Sequence, residues 1–448
     1  MEPLVAGAKH ARSWHSHHYC RENGVDRGCA FTNMCLDWDA RFVYYGSPDG
    51  TYQRAVPPKV NLVPDTVWKL RTEFGWDTVG PLSLKAQWGK TFNFSIHNTH
   101  PPSDFQQLPE DNATSVIAAI NYGQINIGHA LADSVWPVAK VLWMLKDVVG
   151  FLEPGTRTRV LLARRCPEYN GKSTCGPQLK AWQMISSLPV VYSDELNGTC
   201  FSRLVVGSSH ANYIRDVNYP HFRYMPPQPP EGVLGFYTQL ARHAQGWKPT
   251  LPVVTMEYSA QQKPQLVIAH KPNRRHWMTN ESEVIEHLER QFPQLSIKLT
   301  DFAGTTAAEE LAIMQATSIY ITSMGGGSFN TALLPERACA VFLIPCMPWK
   351  GASNGVLCQQ IKNEMKLWHS ATYLSVLSYE HEHAGDMQKM MDANHTESAK
   401  WPGYDWAYKV NVTRLSSLVQ TCIDSVVWRR LWRVSPTDTR FTVPHTGR

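Results

Sequence analysis

Ser318-Ile319-Tyr320-Ile321-Thr322 runs into Ser323-Met324-Gly325-Gly326-Gly327-Ser328 and leaves through Phe329-Asn330-Thr331-Ala332-Leu333-Leu334, closed by Pro335. The first run is rich in β-branched residues, the second carries adjacent glycines, and the third is apolar and free of glycine. The reading is therefore strand, tight turn, helix. Glycines accept positive φ and bring no Cβ against a ligand, while the start of the helix offers unpaired N–H groups and the positive end of its dipole to an anion. A diphosphate fits such a turn. The pattern is neither G-x-G-x-x-G nor a P-loop with its Lys, which disfavours a dinucleotide oxidoreductase and an NTPase. A plain tight turn would use the same residues.

Upstream, Gln265-Leu266-Val267-Ile268-Ala269-His270 is a compact apolar strand that leads into the basic segment Lys271-Pro272-Asn273-Arg274-Arg275-His276. Asn280 is placed to cap a helix beginning at Glu281, with Glu283 at the box position and Val284, Ile285, Leu288 and Phe292 at helical spacing. A strand over residues 295–299 follows. Thr306 and Glu309 form a second capping box before Leu311, Ile313 and Met314, and Ala340-Val341-Phe342-Leu343-Ile344 supplies another buried strand. The order βαβαβαβ argues for an α/β fold with a doubly wound parallel sheet. Ligands of such sheets bind at the carboxyl ends of the strands, where the basic segment and the glycine turn both fall.

The chain has 448 residues, more than one compact core holds, and a formal charge of +5 without a basic block. Nucleic acid is therefore not expected as a partner, since tracking phosphates needs clustered Lys and Arg. No apolar run reaches the length of a membrane span, and Met1-Glu2-Pro3-Leu4-Val5 lacks a signal-peptide core, so membrane attachment is expected only through an anchor outside this chain. Six N-x-S/T sequons, at Asn93, Asn112, Asn197, Asn280, Asn394 and Asn411, and ten cysteines nevertheless suit the lumen of the secretory pathway, Golgi or endoplasmic reticulum. Asn280 is equally readable as a helix cap. Cys29 and Cys35 bracket a short turn, Cys166 and Cys175 close a small loop, and Cys20 or Cys200 is free to join a distant partner; connectivity stays open.

Metal chemistry finds weak support. His15, His17, His18, Cys20, Cys29 and Cys35 are zinc-ligand types without finger spacing. Asp37-Trp38-Asp39 reads as a turn more than as a nucleotide-diphosphate motif, and His381-Glu382-His383 falls in a loop. No metal is expected. More chemistry lies in Asn126-Ile127-Gly128-His129-Ala130-Leu131-Ala132-Asp133, where His129 and Asp133 share one face of a helix. An imidazole whose tautomer is fixed by a carboxylate can take the proton of a hydroxyl, and the same pair can also serve only to satisfy a helix end.

Together these motifs resemble glycosyltransferase family 61, which includes plant β-1,2-xylosyltransferases and arabinosyltransferases and animal O-linked N-acetylglucosaminyltransferases of the endoplasmic reticulum. The resemblance rests on Asn126, His129 and Asp133, then Cys200-Phe201 with Leu204-Val205-Val206-Gly207, the strand and basic segment over residues 266–275, and residues 323–335, all in that family's order. Arg27-x-Cys29-x-x-x-Asn33-x-Cys35 before Phe42-Val43-Tyr44-Tyr45 is similar to the family's disulfide-bearing entry segment. The resemblance implies a GT-B-like fold of two facing Rossmann-like doubly wound domains. It also implies inverting transfer from a nucleotide sugar, usually UDP-linked, with no obligatory cofactor or metal. Many members carry His-Gly-Ala where this chain has Met324-Gly325-Gly326.

The roles expected on this basis are His129 or Asp133 as base and Lys271, Arg274 and Arg275 as cations for the diphosphate. Ser323, Gly325, Gly326, Gly327 and Ser328 form its backbone cradle, and Glu309 or Glu310 contacts the donor ribose or sugar. The donor sugar is xylose, arabinose or N-acetylglucosamine and the acceptor a hydroxyl of a glycan or glycoprotein. The alternative is a catalytically weakened nucleotide-sugar or glycan-binding protein on the same scaffold. The organisation expected is a cysteine-bearing entry segment at 1–55, a Rossmann-like acceptor-side domain at 56–262, a nucleotide-sugar domain at 263–400, and an aromatic loop with a closing helix at 401–448. That helix is expected to pack back on the first domain.

Overall fold

The computed structural model describes residues 16–23, 26–39, 41–45, 60–61, 91–92, 94–97, 99–107, 113–118, 127–162, 168–169, 172–173, 176–208, 232–247, 263–271, 278–323, 326–335, 338–344, 374–380, 387–389 and 406–431. It is an α/β structure with two compact units. The first comprises Met1–Lys248, Thr305–Ala312 and Gly325–Ala332, and the second comprises Pro249–Gly304, Ile313–Met324 and Leu333–Arg448.

The first unit is built on a nine-stranded mixed sheet. Val191–Tyr192, Arg157–Leu162, Ala113–Ala118 and Thr199–Ser208 lie parallel in that spatial order; Asp26–Leu36 then pairs antiparallel with Thr199–Ser208, and Phe42–Tyr45 and Phe94–His97 continue the sheet. Only part of this unit is the parallel sheet expected of a Rossmann-like domain. Of the segment before residue 56, Asp26–Leu36 and Phe42–Tyr45 are interior strands of this sheet. Cys29 and Cys35 do not bracket a turn, because both lie on Asp26–Leu36. Each has a different partner: Cys20–Cys29 staples the hairpin of His17–Asn23, and Cys35–Cys200 crosses to Thr199–Ser208. In the chain-entropy account, a crosslink between residues 165 apart stabilises by about 5 kcal/mol. Cys166 and Cys175 lie outside the described residues.

Asn33, at φ 53°, interrupts the side-chain alternation of Asp26–Leu36. Cys29 and Phe31 before it and Met34 and Leu36 after it therefore enter one core with Phe42, Phe201, Leu204 and Val206. The helix Trp136–Val149, stopped by Gly150 in the left-handed conformation, packs on the sheet where Gly28 and Gly207 pair. A Cβ on Gly207 would stand 2.6 Å from the Arg27 carbonyl oxygen and 2.9 Å from Val141 Cγ1. The two glycines are what let the helix approach the strands so closely.

The second unit meets the sequence expectation closely. Its five-stranded sheet is all parallel, in the spatial order Ser296–Thr300, Gln265–Ala269, Thr317–Ser323, Cys339–Ile344, Ser375–Glu380. The helices Glu281–Gln291 and Ala307–Ala316 connect the first three in sequence. The reason is visible in the burial: Leu266, Ile268, Ile319, Ile321, Val341 and Leu343 are all inaccessible, as they are in strands covered on both faces. The described side chains of the closing helix, Val412–Leu431, pack within the second unit. Leu415, Val419 and Cys422 enter the core of the second unit, and Cys422 is disulfide-bonded to Cys339. Full burial of each such aliphatic side chain contributes about 1.5–3 kcal/mol. Of the aromatic loop, residues 401–405 lie outside the described residues, and Trp406–Tyr408 is a short strand paired with Met387–Lys389.

Asn280 occupies the first position before Glu281–Gln291 but does not cap it through its side chain. Its amide instead pairs with the backbone of Val410, with Nδ2 donating to the carbonyl oxygen at 2.9 Å and Oδ1 accepting from N–H at 2.8 Å, and Nδ2 also donates to Glu283. This pairing ties the start of one helix to the approach of Val412–Leu431.

Two outcomes follow from these placements. Gly207→Ala should destabilise the first unit by about 1–3 kcal/mol through overpacking against backbone. Gly235→Ala, in the interior of the helix Val233–Ala244 with nothing within 4 Å of the added Cβ, should stabilise it by about 0.5–1 kcal/mol. Denaturant unfolding of the two variants checks both signs. Asn280 should be unoccupied by N-glycan when the protein is expressed in a secretory host, which glycopeptide mass spectrometry reads directly, because its amide is engaged with the Val410 backbone.

Candidate functional site

The strand Gln265–Ala269 lies between the strand that follows it in sequence, Ser296–Thr300, and the next one, Thr317–Ser323. The chain thus leaves the central strand to one side and returns to its other side. That topological switch opens a crevice at the carboxyl ends. His270 and Lys271 are the first residues beyond the central strand. The His270 N–H donates to the Thr300 carbonyl oxygen at 2.8 Å, and Lys271 Nζ donates to the Ser323 carbonyl oxygen at 3.4 Å. Two residues assigned to the diphosphate from sequence, Lys271 and Ser323, are thereby brought together across the switch point.

The turn beyond Ser323 differs in detail from the expectation. Gly326–Leu333 winds as a 3-10 helix rather than an α-helix. Both of its glycines are partly exposed, while Ser328 and the residues that follow through Leu334 are buried. Arg274, Arg275, Met324 and Gly325 lie outside the described residues, as does His381-Glu382-His383.

Sequence reasoning missed the titratable pair of this unit. His270 Nδ1 and Glu281 Oε2 are 2.7 Å apart, with the His270 side chain 27% and the Glu281 side chain 11% exposed. The two residues had been read separately, one as the end of a strand and the other as the start of a helix. Their meeting depends on the path of the intervening loop, which spacing does not report.

The two acidic candidates, Glu309 and Glu310, belong to the first unit and have other partners. Glu309 completes the expected capping box: its carboxylate accepts from the Thr306 N–H at 2.8 Å and the Thr306 hydroxyl accepts from the Glu309 N–H at 3.2 Å. The Thr306 N–H, and after it the Thr306 hydroxyl that donates to the same carboxylate at 2.9 Å, hold the Glu309 carboxyl below the usual range. Glu310 is 3% exposed and forms an ion pair with Lys180, whose ammonium also donates to the Thr305 hydroxyl at 3.0 Å. Burial raises the Glu310 carboxyl despite Lys180, and it raises the fully buried Tyr237 hydroxyl well above its usual range, with Glu310 adding to that shift. Both glutamates are thus engaged by partners of the first unit.

His129 and Asp133 lie where the helix changes its winding. Ile127–His129 is α-helical, Ala130–Val135 is a π-helix, and Trp136–Val149 resumes the α-helix with Pro137 in its first turn. A wider turn thus begins directly after His129; the side chains of His129 and Asp133 lie outside the described residues. Such turns often accompany functional positions. Asp37-Trp38-Asp39 is a turn closed by the Arg41 N–H on Asp37 Oδ1 at 2.7 Å. Cys20, Cys29 and Cys35, weighed above as zinc-ligand types, are all disulfide-bonded, which removes them as ligands.

The family model for Glycosyltransferase 61 matches residues 127–341. The matched region starts at the helix bearing His129 and ends within the strand Cys339–Ile344, so it contains His129, Asp133 and the candidates from Lys271 to Ser328. No curated protein matches the chain.

The Lys180–Glu310 pair yields a stability test. Lys180→Ala leaves a buried carboxylate without its counter-charge and should cost about 3–5 kcal/mol, whereas replacing both residues by apolar ones of similar size should be near neutral. A carboxyl whose pKa is higher in the folded chain binds its proton more tightly there, so it supports the fold in acid and withdraws that support as pH rises from the usual carboxylate value through the raised one. Wild-type stability relative to Glu310→Gln should fall across that window and level off above it. A difference that stays flat with pH would contradict the assigned burial.

Proposed function

The chain belongs to glycosyltransferase family 61 and is a glycosyltransferase, and on that premise we propose that it is an inverting enzyme. It would move xylose, arabinose or N-acetylglucosamine from a UDP-linked donor to a hydroxyl of a glycan or glycoprotein in the secretory lumen. The observation that supports the donor side is the switch point of the parallel sheet, where Lys271 meets the carbonyl oxygen of Ser323. A nucleotide diphosphate laid there meets an ammonium and closely approachable backbone. Arg274 and Arg275, three and four positions after Lys271 in sequence, are the further cations we assign to the diphosphate. Transfer by inversion needs a base for the acceptor hydroxyl, and we assign it to His129 or Asp133 at the change of helical winding. A GT-B arrangement of the two units is part of this reading. Three disulfides among the described residues favour an oxidising compartment. Among the described residues no helix is long and apolar enough to cross a membrane.

Met324 favours a second reading, since many relatives carry His there: a weakened enzyme that retains donor or glycan binding. Thermal unfolding against UDP, GDP, CMP and NAD separates the possibilities, because a ligand at about 100 times its Kd adds roughly 2.7 kcal/mol. UDP alone should raise Tm, and Arg274→Ala should abolish the rise. Turnover with UDP-xylose, UDP-arabinose and UDP-N-acetylglucosamine then identifies the sugar. His129→Ala should lose turnover while keeping the UDP shift; unchanged turnover removes His129 as base. Nucleotide binding without turnover of any donor supports the second reading, and no shift with any nucleotide removes the donor site from the switch point.

A further inference from the structure

We propose that His270 is a donor-site residue that hydrogen-bonds the departing diphosphate through Nε2, with Glu281 as the residue that positions its ring. The inference rests on the donor-binding reading of the switch point and adds to it a group not read from the sequence.

Three observations converge. His270 directly follows the last residue of the central strand, and its backbone N–H is fixed on Thr300 of the adjacent strand at 2.8 Å, so its Cα sits at the mouth of the crevice. Its Nδ1 is held 2.7 Å from a carboxylate that is itself nine-tenths shielded, which sets the plane of the ring and directs Nε2 away from Glu281. Nε2 has no hydrogen-bond partner among the described residues, and more than a quarter of the side chain is exposed. A ring so anchored, beside Lys271, is suited to a ligand with acceptor oxygens that arrives at the carboxyl end of the sheet.

In the transfer, the acceptor oxygen bonds to the anomeric carbon as that carbon's bond to the β-phosphate oxygen breaks. The acceptor proton passes to the base, and the electron pair of the broken bond remains on the diphosphate. Negative charge therefore grows on the terminal phosphate. With a proton on each nitrogen, the imidazole spans two anions, donating from Nδ1 to Glu281 and from Nε2 to that phosphate. Glu281 acts only through the ring.

Isothermal titration of the full chain with UDP, UMP and uridine tests the assignment. His270→Ala should weaken UDP by about ten- to hundredfold, the effect of losing one charge-assisted hydrogen bond, and leave UMP and uridine within about twofold of wild type. His270→Gln, which keeps a donor, should recover part of the loss. Glu281→Gln should weaken UDP by a smaller factor with Tm unchanged. Because Glu281→Gln can also disturb the helix start, His270→Ala is the deciding variant, accepted only if its Tm matches wild type. If His270→Ala binds UDP as tightly as wild type, or loses UMP and uridine in equal proportion, the inference is overturned while the donor site stands. A wild-type chain that binds neither UDP nor UMP overturns both.

Discussion

A parallel sheet whose chain crosses first to one side of a central strand and then to the other cannot cover the ends of that strand with its own connections. In the second unit this constraint leaves the carboxyl end of Gln265–Ala269 open between two diverging crossovers. Two residues assigned to donor chemistry meet there: Lys271 reaches across the opening to Ser323, and His270 is pinned at its lip. The buried apolar strands beneath provide the rigidity that a crevice of this kind requires.

Electrostatics divide the acidic residues by environment. Glu281 and Glu310 are both largely shielded, yet one faces a ring at the rim of the crevice and the other a lysine in a buried cluster with Thr305. A buried ion pair contributes little net stability but makes its geometry hard to change, since losing either partner strands the other. The Lys180–Glu310 pair therefore fixes the beginning of the helix Ala307–Ala316, the same helix that the Thr306–Glu309 box starts.

Local chemistry was legible in the sequence; long-range pairing was not. The strands of the second unit could be read because their apolar runs are continuous, and the capping box because its partners are three residues apart. The regular helix assumed at His129 and the α-helix assumed after the glycine turn gave way to π and 3-10 windings, which tertiary packing selects over propensity. Asn280 had the right residue type for a cap, but Val410 offered its amide both a donor and an acceptor. The strand Asp26–Leu36 was hidden among cysteines that suggested a loop, and Asn33 broke the alternation that would have revealed it. Lys180 and Glu310 are 130 positions apart, so no window of sequence contains both.

The first unit is discontinuous along the chain, since it includes Thr305–Ala312 and Gly325–Ala332. Phe329 lies against Trp136 with ring centroids 5.5 Å apart, and the Thr238 hydroxyl donates to the Ala332 carbonyl oxygen at 2.6 Å. During synthesis on the ribosome, where domains otherwise tend to fold in order of emergence, this unit must wait for residues made more than fifty positions after Lys248. A fragment ending there would carry an uncovered apolar surface, and the boundary that looks natural in sequence is a poor place to cut the gene.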